Sequence, residues 1–324
     1  MRKREGGLGL LGLLALALIQ AQSACGSARQ PGECGLGGTT ALAGAASVLT
    51  FACDLEPRGR YYNRDIFTIS LEGGPARRLT RDYAQDVDPA WSPDGKALVF
   101  SSTRDGRLNV YSMRPDGGGV RRVTSALAQE FEPAWSPDGR HIIFASGRDG
   151  AGGPLGPRGL PSSLYLVRPD GGGLVRLTHT PSYDGDPSWA PNGSKVVFVS
   201  DRAGSSAVWI MNPDGGDQRK LSRSVDADDR PSWSPDSTRI AFSHGSDENN
   251  SSAIFVMDAD GGNQHRLVSG EGREPTWSPD GRWVAFVSSR DGNPNVFAAA
   301  VDGSSLVQLT HDPAPKFRPV WRPA

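Results

Sequence analysis

The sequence has almost no excess charge of either sign. Its 35 Lys and Arg residues are balanced by 36 Asp and Glu residues, so the formal charge is −1 and the pI is near 6.5. A protein that binds nucleic acid through phosphate contacts carries a basic surface, and this composition supplies no such field. We therefore expect no nucleic-acid partner.

The chain also lacks a hydrophobic run long enough to span a bilayer comfortably. Its apolar run Leu8–Ile19 has 12 residues, whereas a transmembrane helix needs about 20. The run follows a basic start (RKR) and precedes small residues (AQSA), which is the pattern of a secretory signal. We assign residues 1–24 to a signal peptide and residues 25–46, rich in Gly, Ala and Ser, to a flexible tether.

Cysteine is scarce, with three residues at Cys25, Cys34 and Cys53. Cys25 follows Ser-Ala, which resembles a bacterial lipoprotein signal whose cysteine becomes the acylated first residue, although Gln22 stands where that motif usually has Leu. Lipidation of Cys25 would leave Cys34 and Cys53 as an even pair in an oxidising compartment, and their disulfide would tie the tether to the first repeat. The alternative is that Cys53 is simply a small buried residue of an apolar strand.

Motifs for catalysis are missing too. The sequence contains no Gly-x-Ser-x-Gly, no His-Glu-x-x-His and no phosphate-binding loop. Its five histidines fall at different repeat positions, except for the equivalent pair His179 and His311. We therefore predict no catalytic residue, and we expect no cofactor.

What the sequence does contain is a repeated segment, Pro-x-Trp followed by a Ser-Pro-Asp-Gly turn. It first appears as PAWSPDG at 89–95, and successive tryptophans are 44, 54, 44, 44 and 44 residues apart. A period in the forties is typical of WD40-like propeller repeats. We interpret the tryptophans as packing residues between neighbouring blades. They are Trp91, Trp135, Trp189, Trp233, Trp277 and Trp321.

Each period contains four strand-length segments bounded by Gly, Pro, Asp or Asn. After the first Pro-x-Trp segment come Ala97–Ser102, Asn109–Met113 and a short segment that ends at Thr124. Four antiparallel strands joined by tight turns and repeated radially make a propeller blade. The sequence therefore predicts an all-β fold, a six-bladed β-propeller of four-stranded blades over residues 47–324.

The two ends of the propeller predict how the ring closes. The first repeat begins with a second-strand segment, Val48–Cys53, and has no Pro-x-Trp before it, whereas the chain ends just after Pro319–Trp321. We expect this last strand to complete the first blade, because otherwise two sheet edges would stay unpaired.

The order of motifs resembles the TolB-type propeller repeat. P-x-W-S-P-D-G is followed by an apolar strand, S-x-R-D-G (Ser102–Gly106 and Ser288–Gly292), a strand ending in Met, x-P-D-G-G and Leu-Thr. TolB is a periplasmic component of the Tol–Pal envelope system and carries an additional N-terminal α/β domain. Here about 20 residues separate the signal from the first blade. The resemblance implies an exported propeller, periplasmic or lipid-anchored, and leaves a Tol–Pal role open.

Charged residues precede each Pro-x-Trp segment, where the innermost strand of a blade begins. Three consecutive blades offer only acids there and the other side brings bases, so we predict that an acidic arc faces a basic arc at one mouth of the channel. In the alternative, these charges pair across the ring and only stabilise its closure. The candidates are Asp86, Asp88, Glu130, Glu132, Asp184, Asp186, Arg230, Arg273, Lys316 and Arg318.

Loops and ions extend the same hypothesis. The insertion Asp149–Ser163 and the segment Ser246–Ser252 are expected to open on the face of the charged mouth, as a lip for a partner or as tolerated surface insertions. The oxygen ligands of the acidic arc suit Ca²⁺, but carboxylates that recur at one rim do not specify a coordination shell.

The sequence favours a non-catalytic, monomeric scaffold of the bacterial cell envelope. In this interpretation the charged mouth and its loops bind an envelope protein or peptide, and only a lipid anchor would link the chain to a membrane. The alternative is an enzyme or sensor that binds a small anionic or carbohydrate ligand in the central channel. A purely structural surface module is a third interpretation, which the sequence does not separate from the first.

Overall fold

The fold is described from a computed structural model. All regular secondary structure in the described residues is β. These residues contain no helix that is long and apolar enough to cross a membrane. The structure describes residues 42, 48–58, 61–72, 75–149, 161–245, 252–311 and 313–323.

Several predicted features lie outside the described residues. These are the signal peptide, almost all of the tether, Cys25 and Cys34, residues 150–160 of the insertion, and residues 246–251 of the second loop. Cys53 is described and is disulfide-bonded. Its pairing with Cys34 and the lipidation of Cys25 stay predictions.

Within the described ranges, 24 strands form six antiparallel sheets of four strands each. Blade 1 contains β1 (Val48–Arg58), β2 (Tyr61–Ser70), β3 (Arg77–Arg78) and the last strand, β24 (Lys316–Trp321). Blade 2 contains β4 (Asp86–Trp91), β5 (Leu98–Ser102), β6 (Asn109–Met113) and β7 (Arg121–Arg122). Blade 3 contains β8 (Glu130–Trp135), β9 (Ile142–Ser146), β10 (Ser163–Val167) and β11 (Val175–Arg176).

The other three blades repeat this order. Blade 4 contains β12 (Asp184–Trp189), β13 (Val196–Ser200), β14 (Ala207–Met211) and β15 (Arg219–Lys220). Blade 5 contains β16 (Asp228–Trp233), β17 (Arg239–His244), β18 (Ala253–Asp258) and β19 (His265–Arg266). Blade 6 contains β20 (Arg273–Trp277), β21 (Trp283–Ser288), β22 (Asn295–Ala300) and β23 (Leu306–Gln308).

The innermost strands contact one another in cyclic order, from β24 through β4, β8, β12, β16 and β20 back to β24. The last strand joins the first blade, with Trp321 opposite Leu49 and Lys316 opposite Cys53. The predicted six-bladed propeller and its closure by the C-terminal strand are therefore confirmed.

The turns after the innermost strands of blades 2 to 6 form as their residues predict. In blade 2 the Ser92 hydroxyl donates to Asp94 Oδ1 at 2.7 Å, and the Lys96 backbone N–H donates to the same oxygen at 3.1 Å. Gly95 has a φ of +63°, in the left-handed region that glycine adopts without strain. The turn thus uses its own side chains to satisfy its backbone.

The core consists of side chains packed between neighbouring blades. A phenylalanine on the second strand of every blade is at most 1% exposed. Trp233 belongs to one buried cluster with Ile210 of blade 4 and Phe242 of blade 5, an arrangement that fits packing between blades. The six phenylalanines are Phe51, Phe100, Phe144, Phe198, Phe242 and Phe286.

Deletion of residues 317–324 should destabilise the propeller. The deletion removes nearly all of β24, so the edge of β1 loses its partner and the ring loses its closing contacts. We expect a melting temperature at least about 10 °C lower in a calorimetric scan, together with aggregation on heating. Deletion of residues 323–324 alone leaves β24 intact and is the matched control. Equal melting temperatures for the two truncations would contradict this account of closure.

Candidate functional site

A β-bulge interrupts the innermost strand of every blade just before its proline. In β4 the pairing register shifts between Val87 and Ala90, and the same irregularity recurs in the other five blades. The residue before each proline has a φ between +47° and +59°, which is strained for a residue other than glycine. These residues are Asp88, Glu132, Asp186, Arg230, Glu274 and Arg318.

The bulges bring these six side chains together, because a bulge changes the direction in which a side chain points. All six line the central channel. We call them the channel ring. Starting from blade 1, the ring reads Arg318, Asp88, Glu132, Asp186, Arg230 and Glu274, so it contains four carboxylates and two guanidiniums.

Arg318 binds the three consecutive carboxylates of the ring. Its Nε lies 3.1 Å from Asp88 Oδ1, its Nη2 lies 2.7 Å from Glu132 Oε1 and its Nη1 lies 2.6 Å from Asp186 Oδ1. The backbone N–H of Arg318 also donates to Glu274. One residue of the closing strand therefore connects blades 2, 3, 4 and 6 to blade 1.

Burial and charge shift the pKa values in this cluster. Burial, together with the nearby carboxylates of Asp186 and Asp88, raises the pKa of Glu132 to about 8, although Arg318 opposes the shift. Burial alone would lower the pKa of Arg318, but the surrounding carboxylates outweigh it and raise this pKa well above its usual value. Glu132 also accepts hydrogen bonds from the Asp186 backbone N–H at 2.6 Å and from the Tyr183 hydroxyl at 3.2 Å.

The predicted acidic and basic arcs do not face each other as separate groups, so the predicted arrangement is wrong. Asp88, Glu132 and Asp186 do lie side by side, but Arg318 of the expected basic side is bonded to all three. Glu274, absent from the predicted set, interrupts the basic side and pairs with Arg230. Its place before Pro275 is the signal that would have identified it, because every ring residue precedes a proline.

Asp86, Glu130 and Asp184, three acids predicted at the mouth, lie inside their blades and are fully buried. Each forms an ion pair with the arginine that follows the second strand of its own blade. Arg104 lies 3.0 Å from Asp86, Arg202 lies 2.7 Å from Asp184, and Arg148 pairs with Glu130. Each pair ties two strands of one blade together, so these acids are structural ties.

The two remaining candidates also take different positions. Lys316 is fully buried, and its ammonium donates to the backbone carbonyl of Ala314. Arg273 lines the channel above the ring, where its Nη1 lies 3.5 Å from Glu271 Oε1. A binding role for any of the ten residues stays a prediction.

The ring lies between two parts of the channel. The upper cavity has a volume of about 730 Å³, and its wall includes Gln85, Gln129 and Tyr183, which lie where the chain enters the inner strands. The lower cavity measures about 290 Å³ and is lined by the six prolines and the small residues after them. The upper cavity is therefore the larger of the two, and it opens on the face of the mouth.

One group of acids among the described residues brings three ligand atoms within 4.8 Å of one another. It consists of Asp65, Asp82 and Asp86, but Arg78 pairs with Asp65 and Arg104 pairs with the other two. A Ca²⁺ ion at the three consecutive ring carboxylates would have to displace the guanidinium that already lies between them. The absence of a cofactor stays an expectation.

The family model described as the TolB beta propeller domain matches residues 49–153, 158–251 and 224–324. A curated TolB homolog from Chlorobium luteolum is 31% identical over 142 residues, which cover 44% of this chain and 30% of that protein. The chain thus matches less than a third of the length of this relative.

Solved structures share the fold at low identity. TolB from Acinetobacter baumannii has a TM-score of 0.72 and 20% identity, covering 86% of this chain and 67% of its own. A putative TolB from Agrobacterium tumefaciens has a TM-score of 0.60 and 22% identity, covering 82% and 89%. An oligogalacturonate lyase in complex with manganese has a TM-score of 0.58 and 16% identity, covering 81% and 74%. These likenesses show the fold alone.

Replacement of Arg318 by methionine should lower the free energy of unfolding by about 3–5 kcal/mol, because the buried Glu132 and Asp186 and the half-buried Asp88 lose the guanidinium that they share. Urea unfolding at pH 7.5 measures the loss, and part of it should disappear at pH 5, where carboxylates take up protons more readily. Arg114→Met removes an exposed pair with Asp116 and should change stability by less than about 0.5 kcal/mol. A similarly small loss for Arg318→Met would contradict the role of the cluster.

The raised pKa of Glu132 predicts a stability that falls as the pH rises. An acid whose pKa is higher in the folded state binds extra protons there, so its contribution is full at low pH and is lost as the pH approaches about 8. Between pH 6.5 and 8 we expect a slope of roughly −1 kcal/mol per pH unit in urea unfolding. Glu132→Gln should flatten this slope, whereas the exposed control Glu72→Gln should keep it. Parallel profiles for all three proteins would refute the assignment.

Proposed function

Because the chain belongs to the TolB β-propeller domain family, we propose that it is a non-catalytic protein-binding scaffold of the bacterial cell envelope. The N-terminal signal pattern and the resemblance to a periplasmic family support export, either to the periplasm or to a lipid-anchored position. The binding surface in this proposal is the upper mouth of the channel with the loops around it. Its partner is an envelope protein or peptide.

The observation that carries the proposal is a set of exposed apolar side chains on the mouth loops, the connections that enter the inner strands of blades 2, 3 and 5. Tyr83, Leu127 and Val225 occupy equivalent positions in these loops and are 86–88% exposed. Gln85 lies two residues after Tyr83, and Gln129 lies two residues after Leu127. Both glutamines line the upper cavity, so these two loops stand at its edge. Tyr83 and Leu127 stand on neighbouring blades, and exposed aromatic and apolar side chains at one edge of a cavity are available to a protein partner.

The chemistry of the cavity supports binding without catalysis. Its described lining contains carboxylates, guanidiniums, amides and aromatic rings, and no histidine or cysteine is among them. The ring carboxylates are held by Arg318, Arg230 or backbone N–H groups. A general base must reach the proton that it removes from its substrate. These contacts already occupy the ring carboxylates and leave little access for a substrate.

A second candidate function is the binding of a small anionic or carbohydrate ligand in the channel. The volume of the upper cavity favours it, since about 730 Å³ lies within the range of about 300–1,000 Å³ found for ligand pockets. The two functions are compatible, because a ligand in the cavity and a partner on the mouth loops would occupy adjacent surfaces.

Site-specific photocrosslinking in cells tests the scaffold proposal. With benzoylphenylalanine in place of Tyr83 or Leu127, we expect a discrete adduct of higher mass, identified by mass spectrometry. Val120 and Leu174 are matched controls, because they are 38% and 44% exposed and lie in turns at the opposite end of their blades. The proposal fails if all four positions give the same adducts or if none gives any.

A further inference from the structure

The carboxylates of the channel ring have their hydrogen-bonding capacity largely filled from within the chain. Asp88 accepts from Arg318 at 3.1 Å and from the Ser101 hydroxyl at 3.2 Å. Glu274 accepts from the Arg230 guanidinium on one oxygen and from the Arg318 backbone on the other. Glu132 and Asp186 both accept from the Arg318 guanidinium. The ring therefore offers few free acceptors to a ligand.

The Arg230 side chain, by contrast, has hydrogen-bonding capacity that the described chain does not fill. A guanidinium has five N–H donors, and among the described residues the Arg230 side chain donates to Glu274 through Nη1. Its Nε is buried and has no hydrogen-bond partner in the described part of the chain. A buried donor without an acceptor is costly, and Arg230 lines the cavity, so an acceptor from outside the chain would relieve this cost.

Two more arginines on the same cavity have donors to spare. Arg107 is exposed at the rim, and within the described residues its guanidinium has no hydrogen-bond or ion-pair partner. Arg273 makes the 3.5 Å contact with Glu271, which leaves most of its donors unused. By contrast, Arg64 is held by Asp54 at 2.6 Å.

The balance of charge in the upper cavity points the same way. Its lining contains five arginines and four carboxylates. One of these carboxylates, Glu132, has a pKa raised to about 8 and therefore carries less than a full negative charge at neutral pH. The five arginines are Arg64, Arg107, Arg230, Arg273 and Arg318.

We propose that the upper cavity binds a carboxylate attached to an apolar body, with Arg230 as the main donor and Arg107 and Arg273 as supporting donors. A carboxylate supplies two acceptor oxygens that match the geometry of a guanidinium. The apolar body packs against the hydrophobic wall of the cavity. That wall is formed by Val87, Leu108, Phe131 and Phe317.

This inference deepens the proposed function, since it rests on the mouth as a binding surface and adds the chemistry of what binds there. The carboxylate could belong to a free organic acid or to a partner protein, as a C-terminus or an acidic side chain. Both sources present the same group to Arg230.

The test uses the full chain and one probe in two forms. N-acetylphenylalanine is the charged form, and its amide is the uncharged form. Isothermal titration at pH 7 should show saturable binding of the acid about tenfold tighter than that of the amide. Arg230→Lys keeps a cation beside Glu274 but removes the Nε donor and the flat guanidinium, so the preference should fall below about threefold.

Arg107→Ala is the second variant, because an exposed residue at the rim can be replaced without loss of the fold. It should weaken binding of the acid about threefold and leave binding of the amide unchanged. Arg114→Ala, in an exposed turn away from the cavity, is the matched control and should bind as the wild type does. Phenethylamine serves as the cationic counterpart of the probe.

Three results would overturn the proposal: equal affinity for acid and amide, no saturable binding of the acid up to 50 mM probe, and tighter binding of phenethylamine than of the acid. None of them affects the crosslinks at Tyr83 and Leu127, so the inference can fail while the scaffold proposal stands. If the acid binds, its effect on those crosslinks identifies the source. A reduced crosslink assigns the carboxylate to the partner, and an unchanged one assigns it to a separate small molecule.

Discussion

The ion cluster around Arg318 is the interaction on which the ring depends. This guanidinium lies among three carboxylates from blades 2, 3 and 4, and its backbone N–H is bonded to Glu274 of blade 6. Burial of such charges costs several kcal/mol per ion and is offset only when every partner is in place. Arg318 also belongs to β24, the strand that closes the first blade. The strand that closes the ring therefore also supplies the guanidinium that neutralises the channel.

The same cluster determines what the channel can offer to another molecule. Because the acids are bonded to groups of their own chain, the donors left over are those of arginines, chiefly Arg230 at the ring and Arg107 and Arg273 above it. The exposed apolar tips at Tyr83 and Leu127 stand beside this recessed polar cavity. Arginine and aromatic side chains are enriched at protein interfaces, and both belong here to the same face of the propeller.

The placement of individual charges was harder to predict than the fold. Asp86 and Asp88 are two residues apart and would share one side of a regular strand. The bulge between Val87 and Ala90, with Asp88 at a φ of +51°, separates them, so that Asp88 lines the channel and Asp86 is buried against Arg104. The local sequence pattern did not predict that bulge. Once it is known, the residue before each proline identifies the whole ring, including the overlooked Glu274.

The sequence by itself determined the blade count, the strand order, the turns and the closing strand, because each of these follows from short-range chemistry repeated along the chain. The Ser-Pro-Asp-Gly turn satisfies its own backbone, and the tryptophan spacing measures the blades. Only the tertiary structure decided which charges meet. Arg318 and Glu132 are 186 residues apart, and their contact depends on the curvature of the ring and on six bulges that turn side chains inward. Ion pairing across a channel is a property of that closed shape. The linear pattern of charges could therefore locate the mouth, but it could not predict which charged residues pair there.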